Sequence, residues 1–269
     1  MSPPILELRQ VTVRFGGLTA VDNLSFAVDP DGLVSLIGPN GAGKTTAFNL
    51  MTGIYAPSEG EILLGGRPVH GLPPAAIAAM GVARTFQNIR LFASLSVIDN
   101  VRAGLRLHLK QSPWSAVWRG KSFHQKEAQA TAEARNLLAV FKLEDRAEAP
   151  CSALSYGDQR RLEMVRALAL KPRLLLLDEP AAGMNPTEKV ELMNTLRAIQ
   201  AQFKLAVLLV EHDMKLVMNV SRRIVVLDHG VKIAEGTPAQ VQSHPDVIAA
   251  YLGEEHEVVE TEKDGGETA

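Results

Sequence analysis

The residues best suited to chemistry form one glycine-rich stretch at positions 38–46. In order they are Gly38, Pro39, Asn40, Gly41, Ala42, Gly43, Lys44, Thr45 and Thr46. Glycines accept a positive φ and carry no Cβ, so successive backbone N–H groups can face an anion at close range. In this spacing the lysine reaches the β- and γ-phosphates and the first threonine hydroxyl holds Mg²⁺. The stretch therefore predicts a site for a nucleoside triphosphate.

The elements on either side fit this chemistry. An apolar run at residues 33–37 predicts a strand before the loop, and Phe48 and Met51 have helical spacing after it. The first turn of such a helix offers unpaired N–H groups and the positive end of the helix dipole to a phosphate. We expect this helix to run to about Tyr55, where Pro57 and Gly60 follow.

Two carboxylates follow a second apolar run, at residues 174–177. A continuous run of leucines is typical of a parallel strand that is buried on both faces. Ligands of open α/β sheets bind at the carboxyl ends of such strands. Asp178 is therefore the expected partner of Mg²⁺, and Glu179 is placed to orient or deprotonate a water molecule. Solvated acids at a strand end are the alternative.

A third apolar run, at residues 206–210, is followed by Glu211, His212 and Asp213. A lone histidine is more often structural than catalytic. Here it follows a strand of the same class as the one before Asp178, which favours a contact from His212 to the γ-phosphate.

Ser155 and Asp158 have the spacing of a capping box at the start of a helix that continues through Leu162 and Val165. A helix start with a hydroxyl and a glycine, here Gly157, can also bind an anion. From spacing alone, the structural cap is favoured.

Residues 5–28 have the alternation of half-buried antiparallel strands, with Val11, Val13 and Phe15 on one face. Phe15 lies at a strand end. The alternation favours a core aromatic, and the alternative is a ring that stacks on a purine base.

Residues 82–86 have the pattern of a strand, and residues 224–227 and 231–234, joined through His229 and Gly230, that of a final hairpin.

From about residue 88 to 164 the spacing becomes helical, as at Val97, Val101 and Leu105. The same spacing returns at Ala132, Leu137, Leu138 and Phe141. Within it, residues 102–126 contain six basic residues, no acid and both tryptophans, Trp114 and Trp118. A surface for a membrane-bound partner or anionic headgroups, a nucleic-acid patch and a solvated face with two anchoring aromatics all remain open.

The composition of the 269 residues limits the possible classes of protein. The hydrophobic fraction of 46% supports a sizeable core, and the single Cys151 excludes an internal disulfide and is expected to be a small buried side chain. No secretory signal is visible, and the apolar runs are far shorter than the roughly 20 residues that span a bilayer. We therefore expect a soluble, cytoplasmic chain. Residues 254–269 contain seven acids and one lysine, so we expect a disordered acidic tail.

The motifs in this order resemble the ATP-binding subunit of ABC transporters over about residues 5–253. They are the glycine loop, Gln87, Leu154-Ser155-Tyr156-Gly157-Asp158-Gln159, Asp178-Glu179 and His212. The resemblance implies an α/β fold, a P-loop NTPase with a RecA-like core, an antiparallel β subdomain and a helical subdomain inserted at about 88–164. It also implies ATP and Mg²⁺ as ligands and two subunits that enclose two ATP molecules.

The resemblance also implies roles for single residues. Phe15 corresponds to the aromatic that stacks on adenine, and Gln87 to the residue that senses Mg²⁺, water and the transmembrane partner. Asp178 corresponds to the Mg²⁺-binding aspartate, Glu179 to the catalytic glutamate and His212 to the switch histidine. Ser155 and Gly157 would complete the ATP site of the opposite subunit. Tyr156 replaces a usual glycine, Asp158 departs from the usual L-S-G-G-Q, and Asn185 stands where aspartate is common.

Further stretches resemble the longer of the two ATPases of branched-chain amino acid importers. They are residues 156–163, 179–186, 211–215 and 251–253, together with the insert near 106–130. This implies a sister ATPase, two permeases, an extracytoplasmic binding protein and a place on the cytoplasmic face of the membrane, with no nucleic acid. A lipopolysaccharide-export ATPase, which lacks the long insert, ranks second. A soluble ABC ATPase and a regulatory module without hydrolysis rank lower, because the chain has one phosphate loop and intact catalytic motifs.

Overall fold

The computed structural model describes residues 3–106 and 121–251 of the chain. These residues form two compact units. The first comprises residues 3–80 and 206–251, and the second comprises the described residues between 81 and 205.

The helices and strands carry the following labels in chain order. They are β1 Leu6–Phe15, β2 Leu18–Val28, β3 Leu33–Ile37, α1 Lys44–Met51, β4 Glu59–Leu64, β5 Arg67–Pro68, α2 Pro74–Ala79, β6 Val82–Arg84, α3 Val97–Arg106, α4 Lys121–Val140, α5 Tyr156–Ala169, β7 Leu174–Asp178, α6 Pro186–Phe203, β8 Ala206–Val210, α7 Met214–Val220, β9 Arg223–Asp228, β10 Val231–Gly236 and α8 Pro238–Gln242. Short 3₁₀ turns span Glu144–Arg146 and Cys151–Ala153, and residues 245–251 are helical.

The first unit contains an antiparallel sheet with the strand order β2-β1-β4-β5. Its other strands follow the order β10-β9-β3-β8, in which β3 runs parallel to both β8 and β9. All five residues of β3 and of β8 are buried. Both strands consist mainly of leucine, valine and isoleucine, the composition expected of parallel strands that are covered on both faces. The glycine loop therefore follows β3, a strand that is hydrogen-bonded to a neighbouring strand on each side.

The second unit contains the parallel pair β6 and β7, in which Ala83 lies opposite Leu175. Helix α3 packs against α4 and α5. Its contact stripe is Val97, Val101 and Leu105, which are all buried and recur every four residues, as one face of a helix requires. The predicted helical stripe is therefore confirmed in α3, whereas Ala132 on α4 is exposed and Ala134 is buried instead.

Several element boundaries differ from the sequence-based expectations. Helix α1 ends at Met51 rather than near Tyr55, because Gly53 takes a left-handed φ of +73° directly after the C-cap residue Thr52. Strand β6 ends at Arg84, short of the expected Phe86. The first helix within the segment predicted at 88–164 is α3, which begins at Val97. The expected terminal hairpin is present as β9 and β10.

Two segments that the sequence-based expectations cover lie outside the described residues, wholly or in part. They are the acidic tail at 254–269 and most of the basic insert at 102–126, including both tryptophans. Across residues 3–106 and 121–251, no helix combines the length and the apolarity that a membrane crossing needs. The predicted boundaries of the subdomains at 88, 164 and 253 stay predictions.

Candidate functional site

The glycine loop in the first unit is shaped by close backbone packing at two of its glycines. A Cβ on Gly38 would lie 2.1 Å from the carbonyl oxygen of Leu227, and one on Gly43 would lie 2.6 Å from that of Ala20. Gly41 has a φ of +78° and nothing within 4 Å of its Cβ position. At Gly38 and Gly43, a side chain would therefore collide with neighbouring backbone. At Gly41 the space beside the backbone is open, as the close approach of a phosphate requires.

Lys44 begins α1 and its side chain is held inside the loop. The ammonium nitrogen Nζ donates to the carbonyl oxygens of Gly38 and Pro39, each at 2.7 Å, and the residue is buried. The backbone N–H groups of the first turn of α1 begin at the same place. Thr45, the next residue, is exposed. The loop therefore gathers a buried cation and a helix N-terminus around one point, which is an arrangement that binds an anion.

The turn between β9 and β10 supports the glycine loop. The N–H of Gly230 donates to the carbonyl of Ala42 at 3.1 Å, and the carbonyl of Gly230 accepts from the N–H of Asp22 at 2.9 Å. A Cβ on Gly230 would lie 2.7 Å from the carbonyl oxygen of Ala20. Gly230 is therefore required where it is, although the sequence showed it only as part of a hairpin turn.

Phe15 and His212 also belong to the first unit. Phe15 ends β1 and is 44% exposed, with its ring 5.0 Å from that of Tyr55 in an edge-to-face arrangement. The burial that alternation predicted for Phe15 is therefore wrong, because the residue is the last of β1 and lies opposite the exposed Leu18, beside the turn at Gly16 and Gly17. An exposed ring agrees with the alternative, a stack on a purine. His212 is exposed two residues after β8, just before the N-cap Asp213 of α7.

Asp178 is the last residue of β7 in the second unit, and it is buried. Its carboxylate accepts a hydrogen bond from the guanidinium of Arg84 at 3.0 Å, and its N–H donates to the hydroxyl of Thr85 at 3.2 Å. Burial raises the pKa of Asp178, and the Arg84 hydrogen bond and charge oppose that shift. Arg84 therefore favours the charged form of Asp178 at a position where burial favours the neutral acid.

Glu179 follows in a left-handed backbone conformation, with a φ of +46°. Such a φ is costly for a residue with a Cβ, so the surrounding contacts must hold Glu179 in it. The side-chain amide of Gln87 donates to the Glu179 carboxylate at 3.4 Å. Two of the predicted catalytic residues are therefore neighbours.

The predicted cap at Ser155 is confirmed, since its hydroxyl accepts from the N–H of Asp158 at 3.2 Å at the start of α5. Tyr156 is 48% exposed, and its ring lies over Gly183, whose missing Cβ would stand 2.8 Å from the ring. Gly157 has room for a Cβ, which would meet only the Glu188 carboxylate at 3.5 Å. The fold itself does not require a glycine at 157.

Comparisons with known proteins agree with this arrangement. A family model described as ABC transporter matches residues 21–182, which is more than half of the chain. The chain belongs to the ABC transporter family. A second model, described as branched-chain amino acid ATP-binding cassette transporter, matches residues 231–257. The P-loop NTPase fold with an antiparallel β subdomain is thereby confirmed, and with it ATP binding and membership of the ATPases.

Individual relatives of this ABC ATPase cover almost its whole length. The high-affinity branched-chain amino acid transport ATP-binding protein LivG of Escherichia coli K12 is 46% identical over 254 residues, which cover 94% of this chain and 100% of LivG. The corresponding protein BraF of Pseudomonas aeruginosa is 45% identical over the same coverage. Among solved structures, the ADP conformation of MJ1267, an ATP-binding cassette of an ABC transporter, matches with a TM-score of 0.81 and 28% identity, over 93% of this chain and 99% of that one.

Sequence reasoning missed three residues of this ABC ATPase that hold the site residues in place: Gly230, Arg84 and Arg160. Arg160 is buried in the first turns of α5 and donates to the backbone of Phe86 and Gln87. An arginine next to apolar strand residues, as at Arg84, was the available signal, because a charge at such a position needs a buried partner. Arg160 gave no signal of this kind, because the sequence alone does not show which face of α5 is buried.

Proposed function

We propose that this chain is the ATP-hydrolysing subunit of an ABC importer for branched-chain or related amino acids. The observation that carries the proposal is the 46% identity to LivG over the full length of that protein. The separate family match at residues 231–257 supports the same subclass through a different part of the chain. The lipopolysaccharide-export and soluble ABC ATPases that the sequence left open are not favoured by these matches.

The glycine loop binds the triphosphate of ATP. The N–H groups of the loop and of the first turn of α1 face the phosphates, and Lys44 moves from the carbonyls of Gly38 and Pro39 to the β- and γ-phosphates. Phe15 offers its exposed ring to the adenine base. The open space beside Gly41 and the buried ammonium support this assignment.

Hard oxygen donors suit Mg²⁺, and the chain offers them at the Thr45 hydroxyl, the Gln87 amide and the Asp178 carboxylate. Bound there, Mg²⁺ would neutralise charge on the β- and γ-phosphates. Arg84 favours the ionised form of Asp178, against the burial that raises its pKa.

Glu179 acts as the general base that takes a proton from the attacking water. Its left-handed backbone fixes the direction of the carboxylate, and the hydrogen bond from Gln87 holds the side chain. His212 contacts the γ-phosphate. The protein mainly positions groups and stabilises charge, as phosphoryl transfer requires.

Ser155 and Gly157 complete the ATP site of a sister ATPase. The helix N-terminus after Ser155 and the open Cβ position of Gly157 support a close approach of the γ-phosphate of that subunit. ATP then favours the closed dimer because only this form makes contacts from both subunits. Closure drives two permeases, which receive substrate from an extracytoplasmic binding protein. The chain is thereby held at the cytoplasmic face of the membrane.

The test compares Glu179→Gln with the wild-type chain in the purified transporter complex. We expect ATP to bind normally, turnover to fall by about 10²-fold or more because the base is lost, and the ATP-bound dimer to accumulate. Glu61→Gln is the matched control, because it makes the same chemical change at an exposed position of strand β4. Hydrolysis and uptake of radiolabelled leucine into proteoliposomes are the measurements.

Normal hydrolysis by Glu179→Gln would remove Glu179 from the mechanism. If Glu179→Gln loses hydrolysis but the wild-type complex takes up no leucine, the ATPase activity would stand and the branched-chain substrate would be rejected.

A further inference from the structure

Arg160 makes an unusual set of contacts for a residue within a helix. It is 3% exposed, and its Nη1 donates to the carbonyl of Phe86 at 2.8 Å. Its Nη2 donates to the carbonyl of Gln87 and to the hydroxyl of Tyr156, the latter at 2.8 Å. One guanidinium therefore connects the segment that contains Gln87 to the signature loop, residues 154–159, which leads into the first turn of α5.

Glu163, one turn later on α5, holds the same segment from the other end. Its carboxylate lies 3.5 Å from the Arg160 guanidinium and accepts the backbone N–H of Arg90 at 3.4 Å. Burial raises the pKa of Glu163, and the Arg90 N–H and the Arg160 charge oppose that shift. An ion pair from one helix thus binds residues 86–90 through both carbonyl and N–H groups, and each charge compensates the other.

The ring of Phe86 adds a second contact within this segment. The guanidinium of Arg90 lies 4.2 Å from its centroid and that of Arg84 lies 5.2 Å away. Arg84 in turn binds Asp178, so the segment is continuous with the acidic end of β7. A displacement of residues 86–87 would therefore reach both predicted Mg²⁺ ligands of the second unit.

Tyr156 is the exposed end of this network. Its hydroxyl accepts from Arg160, its ring lies 5.3 Å below the same guanidinium, and its edge packs on Gly183. The residue that replaces a usual glycine in the signature loop is thus the one through which this loop touches the arginine. A glycine at 156 could make none of these three contacts.

We propose that Arg160 is a positioning residue, which transmits the state of the signature loop at Tyr156 to the backbone of Gln87. The effect on hydrolysis rests on the proposed function, since the ATP of the sister subunit is what would act on Tyr156. Engagement of Ser155 and Gly157 by that ATP moves Tyr156, Arg160 follows, and Gln87 and its partner Glu179 are set for hydrolysis. Each ATP site thereby reports to the other through one side chain.

The first test measures amide hydrogen exchange on the full chain and needs no hydrolysis. Tyr156→Phe removes only the hydroxyl and leaves the ring on Gly183. We expect the N–H of Arg90 and its neighbours to exchange about tenfold faster, because Arg160 loses one of its fixed acceptors. Arg161→Lys is the matched control. It changes the adjacent arginine, whose partners Asp158 and Glu191 lie outside residues 86–90, and should leave this exchange unchanged.

The second test measures steady-state hydrolysis by the purified complex. For Tyr156→Phe we expect kcat to fall about tenfold with an unchanged KM for ATP, because the glycine loop is untouched. Arg160→Lys keeps the positive charge opposite Glu163 but loses the planar guanidinium that binds several acceptors at once. We therefore expect its kcat to fall as in Tyr156→Phe and not to stay at the wild-type value. In a double-mutant cycle, Tyr156→Phe should add little to Arg160→Lys.

Wild-type exchange in Tyr156→Phe, or wild-type kcat in the same variant, would overturn the relay. A fall in the unfolding midpoint that accounts for the loss of kcat would reduce Arg160 to a structural role and also overturn it. Failure of the proposed function is separate, because it would appear as hydrolysis that Glu179→Gln leaves intact. In that case the exchange experiment alone decides the inference.

Discussion

Two arginine–carboxylate pairs show how burial determines the contribution of a charge in this chain. Arg84 and Asp178 are 8% and 5% exposed at a separation of 3.0 Å, whereas Arg14 and Glu59 are 46% and 61% exposed at 2.5 Å. The shorter pair is screened by water and should contribute little. In the buried pair, removal of one partner leaves the other charge without compensation.

We therefore expect Arg84→Met to lower the free energy of unfolding by about 3–5 kcal/mol. Arg14→Met is the control, with an expected loss below about 1 kcal/mol. Denaturant unfolding of both variants with ATP absent is the measurement. Equal losses would show that the buried Arg84–Asp178 pair contributes no more to stability than the exposed pair.

Glu179 marks the limit of prediction at this scale. The sequence identified the residue and its neighbour Asp178, because two acids after a run of leucines are a strong signal. It did not predict the φ of +46° at Glu179. A left-handed conformation is disfavoured for every residue with a Cβ, so the surrounding contacts must impose it.

Helix α6 begins with a complete capping box. The Asn185 side chain accepts from the N–H of Glu188 at 2.9 Å, and the Glu188 carboxylate accepts from the N–H of Asn185 at 3.0 Å. This explains why asparagine can stand where aspartate is common, since both cap a helix equally well.

We expect Asn185→Ala to lower the free energy of unfolding by about 1 kcal/mol and Asn185→Asp to retain it. Thermal unfolding of the two variants beside the wild type is the measurement. A matching loss in Asn185→Asp would mean that the amide group, and not the cap, stabilises this segment.

Helix α5 carries a buried acid whose titration should be visible in stability. The pKa of Glu163 is raised mainly by burial, so the folded chain binds a proton at a pH where the unfolded chain does not. The contribution of Glu163 to stability therefore increases as the pH falls from neutral, and it levels off below the ordinary glutamate pKa of about 4.3. Relative to Glu163→Gln, the wild type should gain stability in denaturant unfolding as the pH falls from neutral toward the ordinary glutamate pKa of about 4.3.

Glu7 on β1 is a control of opposite sign. The hydrogen bond from Arg9 lowers its pKa, so its contribution is present above the ordinary pKa and is lost as the pH falls through the lowered value. Relative to Glu7→Gln, the wild type should lose stability in acid. The same trend in both variants would contradict the assignment for Glu163.

At the scale of the molecule, the sequence predicted the features that depend on residues close together in the chain. Periodicity and turn residues predicted the strands around the glycine loop, and the order of the motifs predicted the family. It did not predict contacts between distant segments, such as Arg160 with Gln87 or Gly230 with Ala42. No local pattern encodes these contacts, because they depend on the faces that the completed fold brings together.

Gly38 and Gly157 differ in whether the fold of the single chain requires a glycine. A Cβ on Gly38 would stand 2.1 Å from a backbone carbonyl, so Gly38→Ala should prevent correct folding of the loop. A Cβ on Gly157 would make only an ordinary contact, at 3.5 Å from Glu188, and the backbone there needs no positive φ. Gly157→Ala should keep or slightly raise the unfolding midpoint, because alanine favours the first turn of α5.

If Gly157 is a glycine because the γ-phosphate of a sister subunit comes close, the same alanine should act only on the dimer. In a Glu179→Gln background, we expect ATP-dependent association with the sister ATPase to weaken by about 10- to 100-fold, because one added methyl group overpacks the contact. Analytical ultracentrifugation with and without ATP measures this, and nucleotide binding to the monomer should not change. Unchanged association would show that no phosphate approaches position 157, and the role of the signature loop in closure would have to be abandoned.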